Sequence, residues 1–417
     1  MFRVVTSCAL RVGGCAVMAS VAALTAAVGP AAAGGFAIRE QSAEFQGMSF
    51  AGSAAGGSLS AMFWNPAATA SRDGLNTETS MSLILADSDV TVTGSPYIAV
   101  PGISAKSGDI GPPAFVPSSY GNYQLTKDIY IGMGVNAPFG LKSDPTNYNY
   151  HGAVIAQKTE LRTYNFNPTV AVRIAPGIVV GAGVQIETAE GRFSFATGFP
   201  TNPSTTVEGN GWGFGGTAGV MIDATPTTRI GIGYRSQMDQ DIDGHISSPS
   251  LPAASTKTTL KLPDVATVSV RQIVSPVLRL NGTFEWTNWS RFEQLAVSGA
   301  AIPISLPFNW SDGYFVSAGV EYDIYPTLTG RAGVGYEWSP VDSPEKRSPG
   351  IPDDNRVWLS GGFSWQFTPT TTIDFAYTHL FVDDSTFVRG IPLLPASVSG
   401  EVESKIDIVS VGIKNHW

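Results

Sequence analysis

Residues 328–338 read LTGRAGVGYEW, and this stretch decides the fold. From Leu328 to Trp338 the apolar and aromatic side chains fall on every second position, while Thr, Arg, Gly and Glu fill the positions between them. A period of two is the side-chain repeat of a β-strand. One face is apolar and the other is polar or very small, as in a strand between lipid and a polar lumen. The stretch therefore predicts a strand of a transmembrane β-barrel.

The same alternation runs through the chain from residue 75 onward. In the next segment, Leu359, Phe363 and Trp365 alternate with Ser360 and Ser364. Similar segments, separated by Pro, Gly, Asn or Asp, predict fourteen strands at 75–92, 112–125, 129–138, 160–174, 178–195, 211–222, 228–239, 260–273, 277–287, 313–323, 328–338, 356–367, 371–381 and 403–417. An even number returns both chain ends to one side of the membrane. We therefore predict an all-β fold in which residues 75–417 form a 14-stranded antiparallel transmembrane β-barrel.

The segment that ends at Trp417 is typical of outer-membrane barrels. Val411 and Ile413 share the parity of Trp417, and Asn415 interrupts the apolar series. A final aromatic residue of this kind resembles the signal that the barrel assembly machinery reads, so we expect that machinery as a partner and a monomer embedded in outer-membrane lipid. A secreted β-sandwich is the alternative, but it would rarely place aromatic residues on a solvent face.

The first 33 residues have the pattern of a secretory signal peptide. Arg3 and Arg11 precede the apolar segment 12–28, and small residues end at Ala33. We expect residues 1–33 to be removed, so that the mature chain begins near Gly34 in a Gram-negative envelope.

The composition excludes several functions. Cys8 and Cys15 both lie in the predicted signal peptide, which excludes disulfides, thiolate catalysis and cysteine-bound metals in the mature chain. The net charge of −9 argues against nucleic-acid binding. Charged residues make up only 14% of the chain, yet no segment after the signal peptide has 18 uninterrupted apolar residues, so a closed barrel is the remaining way to span a membrane.

Catalytic and cofactor motifs are missing or out of context. The four histidines lie far apart, and no G-x-S-x-G motif is present. The segment GWGFGG at 211–216 fits a nucleotide-binding pattern, but it continues as a strand rather than a helix. We expect no enzyme activity, no cofactor and no metal.

Residues 34–74 do not alternate and are rich in Gly, Ala and Ser. A segment of this kind, attached to a barrel wide enough to leave a hole, predicts a plug in the lumen. We call residues 34–74 the hatch.

The hatch resembles that of a known family. The small residues around Gly47, Phe50 and 51–55, followed by Asn65-Pro66-Ala67, are similar to the N-terminal hatch of the FadL family of outer-membrane hydrophobic-compound transporters. The resemblance continues through LPDVATVSVRQI (262–273), EWTNWSRFEQLAV (285–297) and the segment 333–365, and so covers nearly all of the mature chain. It implies a 14-stranded barrel closed by a hatch. One departure is Ser58, where relatives often carry Asp.

The stretch AMFWNPAATA, residues 61–70, is the predicted centre of the hatch. Pro66 restricts Asn65 to extended conformations and so predicts a turn at Asn65-Pro66-Ala67. The turn is either purely structural or the anchor of a displaceable hatch. In the second case Phe63 and Trp64 press on the barrel wall or on an apolar ligand.

The stretch VNAPFGLKSDP, residues 135–145, interrupts the third strand. Pro138 cannot donate to a ladder and Gly140 weakens one, so a kink or a gap in the wall is expected. A plain strand end is the alternative. The resemblance implies an inward kink at Phe139-Gly140-Leu141, so that Pro138, Phe139 and Gly140 form a lateral gate towards the bilayer.

Arg192 matches a position at which fatty-acid-transporting relatives place an arginine for the substrate carboxylate. A guanidinium can bind a carboxylate through two charge-assisted hydrogen bonds. The alternative is a solvated ion pair with Glu187 or Glu190. No Lys or Arg occurs between Arg291 and Arg331, and Ser311 stands where a second basic residue would be expected.

The resemblance implies passive uptake of a hydrophobic small molecule. A long-chain fatty acid is the first expectation, and an aromatic or other uncharged hydrocarbon is the second. The ligand would pass to a lumenal pocket, the hatch would rearrange and the ligand would leave sideways into the bilayer. Two further alternatives are a general diffusion porin, which would need a charged constriction and no hatch, and a surface adhesin or phage receptor that uses the barrel as a scaffold.

Overall fold

The computed structural model describes residues 34–197, 203–249, 251–300, 304–391 and 394–417, with only the backbone of Leu251. The predicted signal peptide lies outside the described residues. The strands are β1 Leu75–Gly94, β2 Lys106–Asp109, β3 Ala114–Gln124, β4 Ile129–Asn136, β5 Gly140–Ser143, β6 Lys158–Ala175, β7 Ile178–Ala196, β8 Ser204–Thr225, β9 Thr228–Arg235, β10 Met238–Ser248, β11 Leu251–Leu262, β12 Val265–Ser275, β13 Leu278–Thr287, β14 Gln294–Val297, β15 Ile304–Pro307, β16 Gly313–Tyr325, β17 Leu328–Trp338, β18 Arg356–Thr368, β19 Thr371–Val382, β20 Ser385–Gly390 and β21 Ser397–His416.

Nineteen of these strands form one closed antiparallel sheet, and β14 and β15 form a separate hairpin. Nineteen segments make fourteen barrel strands, because five of the strands are each divided into two consecutive segments. These are β2 with β3, β4 with β5, β9 with β10, β11 with β12, and β19 with β20. The barrel closes where β1 pairs with β21, from Asn76 opposite His416 to Val92 opposite Gly400. The prediction of a 14-stranded antiparallel barrel is confirmed.

The two ends of the barrel differ in their connections. Five two-residue turns join strands at one end, and each begins with proline: 176–177, 226–227, 276–277, 326–327 and 369–370. Proline presets the backbone angle for the first corner of a tight turn. The start of β1 lies at the same end, where the Trp417 amide donates to the Leu75 carbonyl over 3.0 Å. Short turns mark the periplasmic end of such a barrel, and the longer loops are extracellular.

The alternation of apolar and polar residues, as in residues 328–338, separates the two faces of the wall. Val334, Trp338 and Leu359 are 49%, 43% and 54% exposed on the outer face, whereas Glu337 and Ser360 are buried on the inner face. Outward apolar side chains suit contact with lipid, and the inner polar side chains meet the hatch.

The hatch fills the lumen with short helical turns. They are an α-helical turn at Ala43–Gln46 and 3-10 turns at Ser53–Ala55, Leu59–Phe63 and Pro66–Ala70. Two further 3-10 turns, His151–Val154 and Trp289–Arg291, lie in loops. The Ser42 hydroxyl caps the first turn by accepting from the Phe45 amide, and Gly47 ends it. Ser49 and Phe50, in the bend that follows, have positive φ angles of 48° and 60°. Within the described part of the chain, no helix is long and apolar enough to cross a membrane.

Polar contacts join the hatch to strands around the whole wall. Hydrogen bonds reach inward side chains of β6, β12, β13 and β18: Thr69 to Thr169, Ala54 to Ser269, Gly52 to Thr283 and Ser49 to Ser360. The Lys414 ammonium of β21 lies 2.5 Å from Glu44 of the hatch and 2.9 Å from Asp374 of β19. The hatch is therefore bonded to the wall and not only packed inside it.

A row of three glycines seats the turn at residues 64–67. Gly181, Gly219 and Gly233 face each other across β7, β8 and β9 and point into the lumen. A Cβ atom would lie 2.3 Å from the Ala67 nitrogen at Gly181, 2.1 Å from the Asn65 Oδ1 at Gly219 and 1.8 Å from the Trp64 carbonyl oxygen at Gly233. The backbones of wall and hatch can approach this closely only because these three positions have no side chain.

Candidate functional site

A cavity of about 530 Å³ lies inside the extracellular half of the barrel. Its lining includes the apolar residues Leu161, Phe193, Val207, Ile242, Leu260 and Phe292. The volume is within the range of pockets that hold small ligands. A mostly apolar lining with few charges suits a hydrophobic molecule.

A second glycine row borders this cavity. Gly191, Gly209 and Gly244 are aligned across β7, β8 and β10 on the inner face of the wall, and all three line the cavity. A Cβ atom at Gly191 would meet nothing within 4 Å, so this position borders open space.

Phe36 of the hatch forms the floor of the cavity. Its ring lies 4.6 Å from Trp289, 5.3 Å from Phe292 and 6.2 Å from Phe139, measured between ring centroids. These are edge-to-face contacts of the kind that aromatic rings prefer. Phe36 therefore belongs both to the cavity lining and to the packing around Phe139.

The wall is interrupted next to this floor. β4 ends at Asn136 and β5 begins at Gly140, and both segments pair with β6 on one side. On the other side, the ladder between β3 and β4 stops at Ser119 opposite Val135, and the described residues show no ladder between β3 and β5. Pro138 stands in this interruption, which is where the sequence predicted a kink or a gap.

Hatch residues 36–41 cover the inner side of the interruption. Ala37 and Phe139 form an isolated antiparallel bridge, with the Ile38 amide donating to Pro138 over 2.8 Å and the Gly140 amide donating to Phe36 over 2.9 Å. The Gln41 side chain donates to the Ala137 carbonyl over 2.8 Å. One short hatch segment thus forms the cavity floor and closes the gap in the wall.

Arg39 holds this segment through two buried ion pairs. Its guanidinium lies 2.5 Å from Glu285 and 3.0 Å from Glu337, and all three side chains are nearly inaccessible to solvent. The Gly34 amide donates to the same Glu337 carboxylate over 3.0 Å, and the Gly35 amide donates to Asp353 over 3.0 Å.

Replacing Arg39 with Gln is expected to release the segment that covers the gap. Without Arg39, the buried Glu285 loses its cation and Glu337 keeps only Arg356, at 3.7 Å. Breaking a buried ion pair by removing one partner costs about 3–5 kcal/mol. Hydrogen–deuterium exchange should show a loss of protection in residues 34–42. The matched control is Arg173→Gln, because Arg173 pairs with Asp73 at an exposed position where such pairs contribute little. Equal exchange in both variants would mean that Arg39 does not hold residues 34–42 in place.

The residues predicted to be the centre of the hatch, 63–67, are all buried inside the barrel. Phe63 and Trp64 are buried and pack edge-to-face at 5.0 Å, and neither residue lines the cavity. The Asn65 side chain accepts from the Ala67 amide and donates to Ala54 and Val220 carbonyls, and Pro66 starts the following turn. Phe63 contacts the wall through Arg235, whose guanidinium lies 4.4 Å from the ring centroid. The ligand role of Phe63 and Trp64 stays a prediction.

Ser58 ties the hatch to β1 through Glu78. The Ser58 hydroxyl and the amides of Leu59 and Ser60 all donate to one Glu78 oxygen, at 2.6, 2.9 and 3.2 Å. A serine at this position therefore still anchors the hatch, with the wall supplying the carboxylate.

Arg192 lies at the edge of the cavity, but it belongs to the residues of β7 whose side chains face outward. Glu187 and Ala189 are buried on the inner face of β7, while Arg192 shares the parity of the exposed Val184. The Arg192 side chain is 48% exposed and lies 3.7 Å from Glu208. Its ion-pair partner is therefore on β8, not Glu187 or Glu190. The carboxylate role of Arg192 stays a prediction.

The structure brings two other cations towards this region. Lys346 lies 3.2 Å from the Ser311 hydroxyl and 2.8 Å from Asp342. Burial opposes ionisation of Asp342, yet hydrogen bonds from Lys346 and Ser311 lower its pKa. Arg389 is 8% exposed and lines the cavity itself. Neither Lys346 nor Arg389 was identified from the sequence, because each comes close to Ser311 or to the cavity only in the closed barrel.

Arg389 is the inward cation of the cavity. Twelve residues of β19 are enough to cross the bilayer, so β20 belongs to the extracellular extension of the wall. The Arg389 guanidinium donates to the Glu345 and Pro307 carbonyls over 2.8 and 2.7 Å and lies 5.4 Å from the centre of the Phe308 ring. Desolvation by burial lowers its pKa.

Residues 23–416 match the family model described as outer membrane protein transport protein (OMPP1/FadL/TodX). Among curated proteins, the chain is similar to the long-chain fatty acid transport protein of Escherichia coli O6:H1, with 26% identity over 355 residues, which is 75% of this chain and 79% of the relative.

Two solved structures resemble the fold. A FadL homologue from Pseudomonas aeruginosa has a TM-score of 0.83 at 22% identity and covers 91% of this chain and 99% of its own. The toluene transporter TodX from Pseudomonas putida has a TM-score of 0.69 at 15% identity, with coverages of 92% and 100%. At these identities the likeness concerns the fold alone.

Proposed function

The chain belongs to the OMPP1/FadL/TodX family of outer membrane transport proteins, and from this premise we propose that it takes up long-chain fatty acids passively. The family transports hydrophobic compounds across the outer membrane, and the finer substrate class is our proposal. The single observation that supports this proposal best is the cavity of about 530 Å³, whose apolar lining ends at the side chain of Phe36.

The physical reason is the cost of keeping an alkyl chain in water. Burying each CH₂ group is worth roughly 0.8 kcal/mol, so a long alkyl chain prefers an apolar cavity by on the order of 10 kcal/mol. An open aqueous pore offers no such gain. A closed barrel with an apolar cavity above a hatch therefore suits a hydrophobic ligand better than a sugar or an ion.

The proposed route uses the interruption in the wall. A ligand enters the cavity from the extracellular side, residues 36–41 move aside, and the ligand passes Phe139 into the bilayer between β3 and β5. Pro138, Phe139 and Gly140 act as the lateral gate in this scheme. No energy source is needed if the ligand binds better to a hatch state that is already populated.

Uptake of aromatic or other uncharged hydrocarbons is the second candidate. The aromatic residues around Phe36 favour it, and so does the outward parity of Arg192. TodX, which has a related fold, is a toluene transporter, whereas the E. coli relative is a long-chain fatty acid transport protein.

Uptake by the purified protein in liposomes tests the proposal. We expect oleate to enter faster than in protein-free liposomes, while arabinose does not. Faster entry of toluene without oleate would favour the hydrocarbon reading. Size-limited passage of sugars, with no preference for either hydrophobic probe, would contradict transport by this route.

A further inference from the structure

Glu40 is a buried carboxyl group in the part of the hatch that covers the gap, residues 36–41. Its side chain is 1% exposed, and within the described part of the chain neither of its oxygens has a hydrogen-bond partner. Both neighbours in the chain are bonded to the wall: Arg39 through its ion pairs, and Gln41 through its carbonyl, which accepts from the Ser118 hydroxyl over 2.9 Å. The bonds of its neighbours therefore hold Glu40 in the protein interior, without bonds of its own carboxyl group.

The charges around Glu40 favour its neutral form. Two guanidinium groups lie close to it, Arg39 in the hatch and Arg356 on β18. Three buried carboxylates already neutralise these two groups: Glu285, Glu337 and Asp353. On β1 the contact is uncharged, because the Ser82 hydroxyl donates to the Glu40 backbone carbonyl over 3.4 Å. An ionised Glu40 would thus be a fourth buried carboxylate against two cations.

Burial of a carboxylate without such partners is so costly that the group takes up a proton instead. Burial raises the pKa of Glu40 to about 7, against the opposing effect of the nearby Arg39 guanidinium. When residues 36–41 move aside, water reaches the carboxyl group and its pKa returns towards the ordinary value of 4.5. The covered state of the gap therefore retains a proton that the open state releases.

We propose that protonation of Glu40 controls the closure of the gap: the neutral carboxyl keeps residues 36–41 in place, and loss of the proton favours the open state. Below pH 4.5 both states are protonated, and the covered state is most stable. Between about pH 4.5 and 7 the open state loses its proton first, which favours opening by up to about tenfold per pH unit. Above about pH 7 the effect levels off. This inference rests on the proposed function and adds its regulation by pH.

The wall offers a matched control in Glu187 of β7. This side chain is also inaccessible to solvent, but its carboxylate accepts hydrogen bonds from Asn165 over 3.0 Å and from Gln240 over 3.2 Å. Among the described residues, no hydrogen bond or ion pair joins Glu187 to the hatch. If buried carboxyl groups of the lumen acted in general, replacing Glu187 would change the response to pH as much as replacing Glu40.

The experiment is hydrogen–deuterium exchange of residues 36–42 in the purified protein between pH 5 and pH 8. The reference is Glu40→Gln, because the glutamine amide resembles a neutral carboxyl group and does not titrate. Dividing the wild-type rate by the Glu40→Gln rate at each pH removes the intrinsic pH dependence of amide exchange. We expect this ratio to rise by roughly ten- to a hundredfold from pH 5 to pH 8. Glu187→Gln should show the same rise as wild type, and Glu40→Asp should retain a rise because it keeps an ionisable group.

A ratio that stays constant from pH 5 to pH 8 in assembled protein would overturn the proposal. A rise that disappears in Glu187→Gln would assign the titration to the wall instead of the hatch. Heat-modifiable migration on gels shows that each variant has assembled.

Oleate uptake in liposomes links the titration to transport. Wild type and Glu40→Gln are compared at the same pH, so that ionisation of oleate itself cancels. We expect wild-type uptake to exceed that of Glu40→Gln at pH 8 and to approach it at pH 5. Equal uptake by the two proteins at every pH would mean that Glu40 does not control the gap. Absence of uptake in both proteins would overturn the proposed function, whereas the exchange ratio still decides the role of Glu40 in closing the gap.

Discussion

Replacing Gly233 with valine is expected to turn the sealed barrel into a leaking one. The new Cβ atom would lie 1.8 Å from the Trp64 carbonyl oxygen and 3.0 Å from the Asn65 Cα, so the backbone of the hatch must move. Overpacking of this kind typically costs about 1–3 kcal/mol, which raises the population of a displaced hatch by roughly five- to 150-fold. The wall should remain intact because its ladders run through the backbone and do not depend on this side chain.

Ion conductance in planar bilayers and liposome swelling in arabinose measure this leak. The control is Gly282→Val, since position 282 points away from the lumen and an added Cβ would make only ordinary contacts, the nearest at 3.5 Å. Heat-modifiable migration on gels shows whether each variant has assembled. An assembled Gly233→Val barrel that conducts no more than wild type would mean that the turn at 64–67 does not seal the lumen.

Linking Ala37 to Phe139 by a disulfide is expected to stop transport. The two residues form a bridge in which the hydrogen bonds flank the pair, and such non-hydrogen-bonded pairs place Cα atoms about 4.5 Å apart. That spacing is within the range of disulfides. The double variant Ala37→Cys with Phe139→Cys would fix the hatch segment across the gap, so hydrophobic uptake in liposomes should fall to the level of protein-free vesicles.

A reductant gives the internal control, because it should restore uptake in the same sample. Each single cysteine variant should show the same uptake with and without oxidant, because it cannot form the bond. The predicted absence of cysteine from the mature chain keeps the assay free of other disulfides. Undiminished uptake with the bond fully formed would remove movement at this bridge, and with it the lateral gate, from the mechanism.

The barrel could be predicted from the sequence because lipid enforces a simple rule. Wherever the wall crosses the membrane, as in β17, alternate residues must be apolar, and the period of two is visible without a structure. The interruption near Pro138 was visible for a similar reason, since proline cannot take part in a ladder. The hatch was visible as the segment in which the alternation is missing.

The rule fails above the membrane, where water replaces lipid. The segment predicted as one strand at 228–239 consists of β9 and β10, and β10 continues to Ser248. In β10 the inward Ile242 and Ile246 are buried, while the outward Asp241 and Asp243 are exposed, which reverses the polarity of the membrane part. The predicted strand therefore ended too early, at residue 239, whereas β10 ends at Ser248.

The candidate site was predicted less well than the fold. The outward parity of Arg192 could have been read from its even spacing with Val184, because an even separation keeps two residues on one face. Arg389 offered no such signal. It lies almost two hundred residues after Arg192, and only the closure of the barrel and the course of the loops make both of them border one cavity.

The ion pair between Lys414 and Glu44 also sets an order of events during biogenesis. Glu44 is among the first mature residues to be synthesised, and Lys414 is on the last strand of the barrel. Until β21 pairs with β1, the hatch lacks this positive partner and a complete lumen in which to bury Glu44. Arg331 of β17 is the other cation of Glu44, at 3.1 Å, so an intermediate that stalls before β21 carries a hatch with only one of the two cations that neutralise Glu44.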